Sequence, residues 1–484
     1  MTSAEARKIY NAGEEAVVQA LRDLSDTIES LQKEINDLEI KIARLSKTPL
    51  NSSKRPSADD ITKSKKEKGG EKRRIGGQPG HSRHEREPFS EEEIDKFHSY
   101  TLPLCPECNS EVIITKGPPR IIQQIELFEA PIIKEEHRSY PAWCEKCQKT
   151  HYMPFPPEIV REGLFKERLT ALVAYMKYVN HASYSTIKKF IRDVLGEKVS
   201  SGYLRKIIQK VSMSLEDPYN ELLNRLPLET TVNVDETGHK ENGDKFWTWV
   251  FKAELYVLFR IDKSRGSKVL LDVLGKEFNG VLGCDYFSAY RKYMKDFNIS
   301  IQFCIAHLIR DIRFLTTLPD TETKAYGERL LNEIRNLFKT IHEHDTMTQH
   351  DFVNALEEAK KRIITSALND VPGRLDKNGK EEKREAQNMA KRFRSFGKAY
   401  FEFITTPGIG PTNNAAEQAI RFIVIDRHVT QGTRSANGRS SSERLWTVIA
   451  TCALQGYSAF NFILESVKAY FHQQPAPSLL LDSG

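Results

Sequence analysis

Three acidic residues in this chain of 484 residues stand where carboxylates could perform chemistry. Asp235 follows the apolar run TVNV, and Asp285 follows the apolar run GVLGC. Glu417 lies in the first turn of a helix predicted from PTNNAAEQAIR, residues 411–421. An aspartate at the end of a buried strand is costly unless it is paired or bound to a cation.

Carboxylates that converge on one point repel one another unless divalent cations lie between them. Hard oxygen ligands select Mg²⁺ or Mn²⁺. Two such ions about 4 Å apart would activate a water or a 3′-hydroxyl for in-line attack on a phosphodiester. We therefore predict that Asp235, Asp285 and Glu417 bind the metal ions and catalyse this attack. The simpler interpretation of Glu417 is an acid favoured by the helix dipole and paired with Arg421.

The segment from residue 231 predicts the elements that must position these acids. Three strand-like runs rich in Val, Trp, Phe and Tyr precede helix, strand, helix, strand and helix. This order is typical of a ribonuclease H-like α/β domain, in which three antiparallel strands have parallel strands beside them. We predict the catalytic core at 226–320, a helical insertion at 321–405 and C-terminal helices of the core at 406–484. In the last part, Asn413 or Asn414 would cap a helix.

An unbroken heptad pattern runs through residues 17–45. The apolar positions of this pattern form two sets, each with a spacing of seven residues. One set is mostly Ile and the other mostly Leu, which favours a parallel two-stranded coiled coil. The alternative is a single amphipathic helix packed on its own domain. We predict a coiled coil at 1–47 that makes the protein a homo-oligomer. The two sets are Leu21, Ile28, Ile35 and Ile42, and Val17, Leu24, Leu31, Leu38 and Leu45.

A basic stretch at 48–90 predicts a flexible linker, since it lacks large apolar residues. Residues 51–86 hold eleven Lys or Arg against five Asp or Glu, a balance that suits phosphate contacts. A merely solvated spacer is the alternative.

Two C-x-x-C pairs predict a zinc-binding module at 91–160. A redox role for each pair is the competing interpretation. The gap of 35 residues between the pairs requires a hairpin excursion. The predicted Zn²⁺ ligands are Cys105, Cys108, Cys144 and Cys147.

Residues 161–225 are predicted to be helical, with a pair that resembles a helix-turn-helix. Gly196 would end one helix, and Ser200 or Ser201 would cap the next. An ordinary helical pair is the alternative. The second helix would present three residues to DNA, Tyr203, Arg205 and Lys206.

The bulk composition excludes several classes of protein. A net charge of +6 with pI near 8.7 only weakly favours nucleic acid. No run of about 18 apolar residues predicts a membrane span, and the N-terminus lacks a signal-peptide core, so we expect a soluble cytoplasmic protein. The isolated Cys284, Cys304 and Cys452 should be buried thiols rather than parts of a disulfide framework.

The whole chain resembles the transposases of the insertion-sequence 66 family, members of the DDE superfamily. The motifs that carry this resemblance, in order, are NSSKRPS, GGQPGH, CPEC, WCEKC, VDETG, GVLGCDYFSAY, CIAHLIRD, GPTNNAAEQAIR and ERLWTVIATCALQGYS. The resemblance implies that Asp235, Asp285 and Glu417 are the catalytic acids and that the four cysteines form a zinc module. It implies end recognition and multimerisation by the N-terminal half.

By the same resemblance, the protein would bind terminal inverted repeats, cut beside the element and join the freed 3′-hydroxyl to target DNA. Elements of this family often encode accessory proteins, which are further expected partners. Two rival functions stay open. One is a non-catalytic DNA-binding regulator with a degenerate nuclease fold, and the other is a stand-alone ribonuclease H-like nuclease.

One position departs from the DDE pattern. Several DDE enzymes carry Lys or Arg seven residues beyond the glutamate, where this chain has Val424. Arg421 or Arg427 would contact DNA instead. The loop TRSANGRSSSER, with Arg434, Arg439 and Arg444, is either a phosphate-contacting or a plain solvated loop.

Several other residues near the acids have alternative interpretations. Glu236 should point away from Asp235, with a role as a metal ligand as the alternative. His239 should face solvent in a hairpin turn, with a DNA contact as the alternative. His307 is either a buried, hydrogen-bonded histidine or a residue beside the metals. Trp247 and Trp249 should pack in the core, with stacking on a flipped base as the rival.

Overall fold

A computed structural model describes residues 2–46, 88–98, 104, 107, 121–124, 131–144, 146, 148–373 and 385–480. Nearly all of the predicted linker at 48–90 lies outside these residues, as do Cys105, Cys108 and Cys147. Cys144 ends the first strand of a short antiparallel hairpin. The zinc module therefore stays a prediction.

The helices and strands are, in chain order, α1 Ser3–Asn11, α2 Glu14–Leu45, β1 Pro141–Cys144, β2 Lys149–Tyr152, α3 Pro157–Glu162, α4 Glu167–Tyr178, α5 Tyr184–Leu195, α6 Ser201–Ser214, α7 Glu216–Arg225, β3 Thr231–Glu241, β4 Asp244–Lys252, β5 Val257–Asp262, α8 Ser267–Leu274, β6 Val281–Cys284, α9 Ser288–Phe297, β7 Ser300–Phe303, α10 Ile305–Leu315, α11 Thr321–His342, α12 Gln349–Leu368, α13 Glu385–Phe396, α14 Asn414–Thr430, α15 Ala436–Gln455 and α16 Ala459–Phe471. Among the described residues, no helix is both long and apolar enough to cross a membrane.

Helix α2 extends for 32 residues and contains no buried residue. Its apolar stripe is open to solvent, with Leu21, Ile28, Ile35 and Ile42 all more than half exposed. Near its end, Arg44 pairs with Glu385 of α13 at 2.9 Å. The predicted helix is present, and its heptad seam is not covered by the described part of the same chain.

The pair α5–α6 begins and ends where the sequence predicts. Gly196, in the left-handed conformation at φ 72°, ends α5. The Ser200 side chain accepts from the Tyr203 N–H and begins α6. Helix α6 packs against α4, α15 and α16, so this bundle is joined directly to the C-terminal helices.

A five-stranded mixed sheet forms the centre of the fold, with the order β5-β4-β3-β6-β7. Strands β3, β4 and β5 are antiparallel neighbours, whereas β6 and β7 run parallel to β3. The predicted succession of three strands, helix, strand, helix, strand and helix is found. Both faces of β3 are covered, since Glu236 contacts Tyr290 of α9 while Thr237 contacts Arg427 of α14.

The described part of the interval 321–400 is helical, as predicted. Helices α11 and α12 pack together, and α11 packs on α10. Arg392 of α13 is buried, bonds Asp311 of α10 at 2.8 Å and stacks on Tyr286. These contacts fasten the helical interval beside the ends of β6 and β7.

Helix α15 covers the outer edge of the sheet with acceptors spaced four residues apart. Four residues of helix rise about 6 Å, and two residues of strand about 6.7 Å, so the acceptors match alternate N–H groups of β5. This arrangement protects an edge that could otherwise pair with another chain. The bonds join Glu443 to Ile261 (2.6 Å), Thr447 to Phe259 (3.0 Å) and Thr451 to Val257 (3.1 Å).

The cysteines outside the C-x-x-C pairs, Cys284, Cys304 and Cys452, are buried free thiols. This part of the cysteine prediction is confirmed.

Glu443 makes stability depend on pH. Burial raises its pKa to about 6 from an ordinary value of 4.5. The folded state therefore favours the protonated form, so the stability that Glu443 contributes is present below pH 4.5 and is lost as the pH rises through 6. Glu443→Gln keeps the acceptor without the charge. We expect it to stabilise the protein by up to about 2 kcal/mol near neutral pH.

Thermal unfolding of wild type and Glu443→Gln at about pH 4.5 and pH 7.5 measures this difference. Glu328→Gln, at an exposed position of α11, is the control. An advantage of Glu443→Gln that is equal at both pH values would contradict the assignment.

Candidate catalytic site

The register of the central strands brings two of the predicted acids to matching positions on β3 and β6. Asn233 of β3 pairs with Gly283 of β6 in parallel register. Asp235 and Asp285 each lie two residues further along, so they occupy equivalent positions on neighbouring strands. A Cβ at Gly283 would lie 2.3 Å from Asn233 Nδ2, so only glycine permits this approach.

Main-chain N–H groups orient both aspartates. Asp235 Oδ1 accepts from the Glu236 N–H at 2.8 Å. Asp285 Oδ1 accepts from the Phe287 N–H at 2.9 Å. Both side chains are half-buried. Asp285 follows the end of β6, as predicted, but the prediction that a strand ends at Asp235 is wrong, because β3 continues to Glu241.

Negative charge is concentrated around Asp235 and Asp285. Burial, together with the charges of Asp285, Glu236 and Asp235, raises the pKa of the Cys284 thiol well above its ordinary value. Burial and the same three carboxylates raise the pKa of Tyr290. These carboxylates would attract a cation, and their oxygen atoms suit a hard cation such as Mg²⁺.

Asn413 joins the start of α14 to β3. Its Nδ2 donates to the Val234 carbonyl and its Oδ1 accepts from Asn233 Nδ2, both at 2.8 Å. Its main-chain N–H donates to Cys304 Sγ at 3.2 Å. The predicted capping role is wrong for Asn413, because its fully buried side chain bonds the strand and not the helix. We call these contacts the Asn413 bridge.

Helix α14 then runs along β3 in the same direction as the strand. Near the end of α14, Arg427 donates to Thr237 Oγ1 at 3.1 Å and to the Gly238 carbonyl. Glu417 lies four residues, about 6 Å, beyond Asn413. Asp235 lies two residues, about 6.7 Å, beyond the bridged Asn233. Glu417 is therefore level with Asp235 along the strand.

Glu417 is turned into the protein. Its side chain is 23% exposed, its Oε1 lies 3.6 Å from His307 Nδ1, and its Oε2 lies 3.8 Å from Arg310 Nη2. Arg310 Nη1 lies 3.3 Å from His307 Nε2. Because a guanidinium only donates, Nε2 accepts and Nδ1 carries the hydrogen that faces Glu417. His307 is thus buried and also beside a predicted metal ligand.

A second donor set adjoins the carboxylates. Cys304, His307 and Glu417 offer a thiol, an imidazole and a carboxylate oxygen, all within 4.8 Å of one another. Such a set would suit Zn²⁺ better than Mg²⁺. The hydrogen on His307 Nδ1 opposes coordination by that atom, and its distance of 3.6 Å from Glu417 Oε1 is beyond hydrogen-bonding range.

Glu236 faces the other side of β3, as predicted, and is fully buried. It accepts from Arg265 Nε (3.0 Å) and Nη2 (2.9 Å), and from the Tyr290 hydroxyl. Trp249 is buried in the core as predicted, whereas Trp247 is half-buried beneath Arg265. The partner of Glu236 is thus a cation of the chain itself.

Comparison with known proteins assigns the family. Residues 162–441, more than half of the chain, match the family described as "Transposase IS66 family". The chain belongs to the IS66 transposase family. Residues 2–87 match a separate "Family of unknown function (DUF6444)".

A more distant relative agrees with this assignment. The "Insertion element ISM1 uncharacterized 48.3 kDa protein" of Methanobrevibacter smithii is 23% identical over 256 residues. The aligned region covers 50% of this IS66-family chain and 61% of the relative. The match thus spans less than two thirds of the relative's length.

The residues predicted to contact DNA in this IS66-family transposase differ in their surroundings. Four are exposed, Arg205 and Lys206 on α6, Arg421 on α14, and Arg434 in the loop before α15. Tyr203 is half-buried, and its hydroxyl accepts from the Phe165 N–H at 3.0 Å. Arg427 is half-buried against β3, as described above.

The prediction that the stretch TRSANGRSSSER forms a loop is wrong from Ala436 onward, where it is helical. Its other two arginines lie in α15 and bind groups of the same chain. Arg439 pairs with Glu241 at 3.2 Å. Arg444 bonds the Ser212 carbonyl at 2.9 Å and pairs with Glu216. Arg434 is therefore the exposed cation of the three.

The expectation for His239 is wrong. It lies in β3, not in the hairpin turn, and is 3% exposed. The turn comes later, at Asn242 and Gly243, and Thr433 pairs alongside the end of β3 and covers it. Burial lowers the pKa of His239 to about 4.

We expect Asn413→Ala to release the start of α14 from β3. The change leaves the Val234 carbonyl and the Asn233 amide buried without their bonds, at a cost of about 2–4 kcal/mol. Hydrogen exchange should accelerate at residues 414–420 before the core exchanges. The exposed neighbour Asn414→Ala is the matched control. Unchanged exchange in Asn413→Ala would contradict the role of the bridge.

Proposed function

We propose that this IS66-family transposase is a DDE enzyme with a ribonuclease H-like core. Asp235, Asp285 and Glu417 would hold Mg²⁺ or Mn²⁺. The observation that carries this proposal is the register of Asn233 with Gly283 together with the Asn413 bridge, from which the three acids are expected at one level along β3. When bound, the divalent cations supply activation of the attacking oxygen and stabilisation of the leaving oxygen.

The protein's own groups prepare this site in two ways. Main-chain N–H groups hold one oxygen of each aspartate, so the carboxylates are oriented before any ligand arrives. Arg310 balances the charge of Glu417, and the neutral His307 turns its Nδ1 hydrogen toward it. Because Glu236 is neutralised by Arg265, the excess negative charge lies on the Asp235 face of the strand.

The substrate we propose is DNA at the ends of an insertion element. In the first step, water attacks the phosphodiester beside the element and leaves a free 3′-hydroxyl on the element end. In the second, that hydroxyl attacks a phosphodiester of target DNA, and the target's 3′-oxygen leaves. Each step forms one P–O bond and breaks one, so no covalent enzyme intermediate is needed.

End recognition would use the N-terminal half and the exposed cations near the core. Arg205 and Lys206 on α6, with Arg421 and Arg434, form a set of exposed positive charges suited to phosphates. The basic stretch 48–90 and a Zn²⁺ module at Cys105, Cys108, Cys144 and Cys147 belong to this proposal. Its partners are the terminal inverted repeats, target DNA and accessory proteins of the element.

Self-association would use α2. Four successive isoleucines and leucines of one heptad set are each more than half exposed. An apolar stripe of this length is normally covered. A second copy of the same helix would cover it, because the Ile and Leu sets favour a parallel pair.

We expect Asp235→Asn to lower cleavage of DNA containing the element end by at least about 10³-fold, because a metal ligand is lost. Binding to the same DNA should persist. Asp272→Asn, at an exposed position of α8, controls for the charge change. Cleavage with Mg²⁺ and binding by gel shift are measured on both variants.

Retained cleavage by Asp235→Asn would contradict the catalytic assignment, and wild-type binding without any cleavage would indicate a regulator instead. A substrate with a pre-cut 3′ end separates the remaining rival. A transposase joins that end to target DNA, whereas a plain nuclease yields no joined product.

We expect Ile28→Lys with Ile35→Lys to convert the protein from dimer to monomer. Each buried Ile contributes roughly 2 kcal/mol, and the double variant removes two from each chain. Light scattering measures the mass. Ser30→Lys with Asp37→Lys, exposed positions off the seam, is the control. A wild-type protein that is monomeric at micromolar concentration would refute the coiled coil.

A further inference from the structure

A cleft of about 650 Å³ lies where the α4–α6 bundle meets β3 and the turn between α14 and α15. Its volume is in the range that holds a small-molecule ligand, and it cannot admit a duplex. Arg205 and Arg434 line it, as do Tyr184, His239 and Trp446. Cations and aromatic rings therefore share one cavity.

The hydrogen-bonding state of His239 follows from its neighbours. Thr433 Oγ1 lies 3.3 Å from Glu241 Oε2 and 3.1 Å from His239 Nε2. A carboxylate only accepts, so the Thr433 hydroxyl donates to Glu241 and accepts from Nε2–H. With its pKa lowered to about 4, His239 is neutral, and its Nδ1 is an acceptor.

The neighbouring indole ring carries an unpaired donor. His239 Nδ1 and Trp446 Nε1 are both buried and have no hydrogen-bond partner in the part of the chain described. The two rings contact each other with centroids 6.2 Å apart. A buried donor or acceptor left unpaired costs about 1–3 kcal/mol. A ligand edge with a donor next to an acceptor would satisfy both, and the edges of nucleobases have this pattern.

Phosphate-binding groups lie in the same cavity. Neither Arg205 nor Arg434 forms an ion pair with a described residue, and Arg205 lies over the Tyr184 ring at 6.0 Å. The 20-residue helix α15 begins here, with Ser435 as its N-cap, and its N-terminal dipole favours an anion. The buried acid of the cleft, Asp426, is already paired with His181 at 3.3 Å.

The cleft lies on the same face of β3 as the proposed catalytic acids. Asp235, Thr237 and His239 alternate along the strand and so share a face. Four residues of strand place His239 about 13 Å from Asp235. A DNA strand that crosses the acids can therefore reach the cleft within a few nucleotides.

We propose that this cleft binds one unpaired nucleotide of the DNA strand being processed, with the base at His239 and Trp446 and its phosphate at Arg205 and Arg434. The proposal rests on the proposed function, since it takes DNA as the substrate. The nucleotide would leave the base stack, because a paired base cannot enter. The cleft would thereby read the DNA beside the cut.

The test uses the full chain carrying Asp235→Asn and duplexes of the element end. Each duplex has a single 2-aminopurine at one of the first six positions on either side of the cut. Unstacking of that base raises its fluorescence. We expect a several-fold rise at one position, lost when Asn437→Trp fills the cleft and kept in Asn336→Trp, an exposed position of α11.

Binding of the same duplexes is followed by gel shift. Binding without a rise at any probe position would overturn the cleft proposal and leave the proposed function intact. Failure to bind element DNA would overturn both.

A calorimetric titration tests the ligand chemistry without DNA. We expect deoxyadenosine monophosphate to bind the wild type at least 10-fold more tightly than inorganic phosphate, and this preference should vanish in Asn437→Trp. Equal affinities for the two ligands would reduce the cleft to an anion site and overturn the base-binding role.

Discussion

The Asn413 bridge is the contact on which the proposed active site depends. Two acids are adjacent because of strand register, which many main-chain bonds maintain. The third comes from α14, which begins 179 residues after Asp235 in the sequence, and the main-chain pairing of Thr433 with β3 comes only after the end of that helix. A buried amide that both donates to and accepts from β3 fixes its height along the strand. An asparagine suits this task because its side chain carries both functions.

Charge is distributed unequally across β3. On one face, Glu236 is buried with Arg265 and Tyr290, and its charge is compensated within the fold. On the other, Asp235 and Asp285 lie side by side, half-buried. This separation allows the sheet to be stable without a cation while keeping one face attractive to it. Glu417, which is paired with Arg310, would complete that face in the proposed site without adding an uncompensated charge to it.

The sequence predicts the local features well. The apolar runs before Asp235 and Asp285 indicate the strands β3 and β6, and the Gly196 and Ser200 signals locate the α5–α6 turn. Such signals are read over a few residues. The role of Asn413 could not be found in this way, because an asparagine before a helix is also the usual cap and only its distant partner on β3 distinguishes the two.

His239 and the α15 acceptors illustrate the same limit. The polar run that follows Asp235 predicts an exposed turn, yet Thr433, 194 residues away, covers the end of the strand. Glu443 and Thr447 would be expected on a solvated face, yet they bond the edge of β5. Polar residues whose partners lie far along the chain carry no local sign of burial.

The cleft and the acids lie on one surface, and this has a mechanical consequence. Helix α6 packs on α15, and α14 is bonded to β3 at both of its ends. A nucleotide held between α6 and the α14–α15 turn would therefore contact the bundle and the core together. A displacement of the bundle relative to β3 would open the cleft, whereas the bonds between α14 and β3 would keep Glu417 in place. Recognition of DNA beside the cut would thus depend on the packing of α6 and α15, and the proposed acidic site on the bonds between α14 and β3.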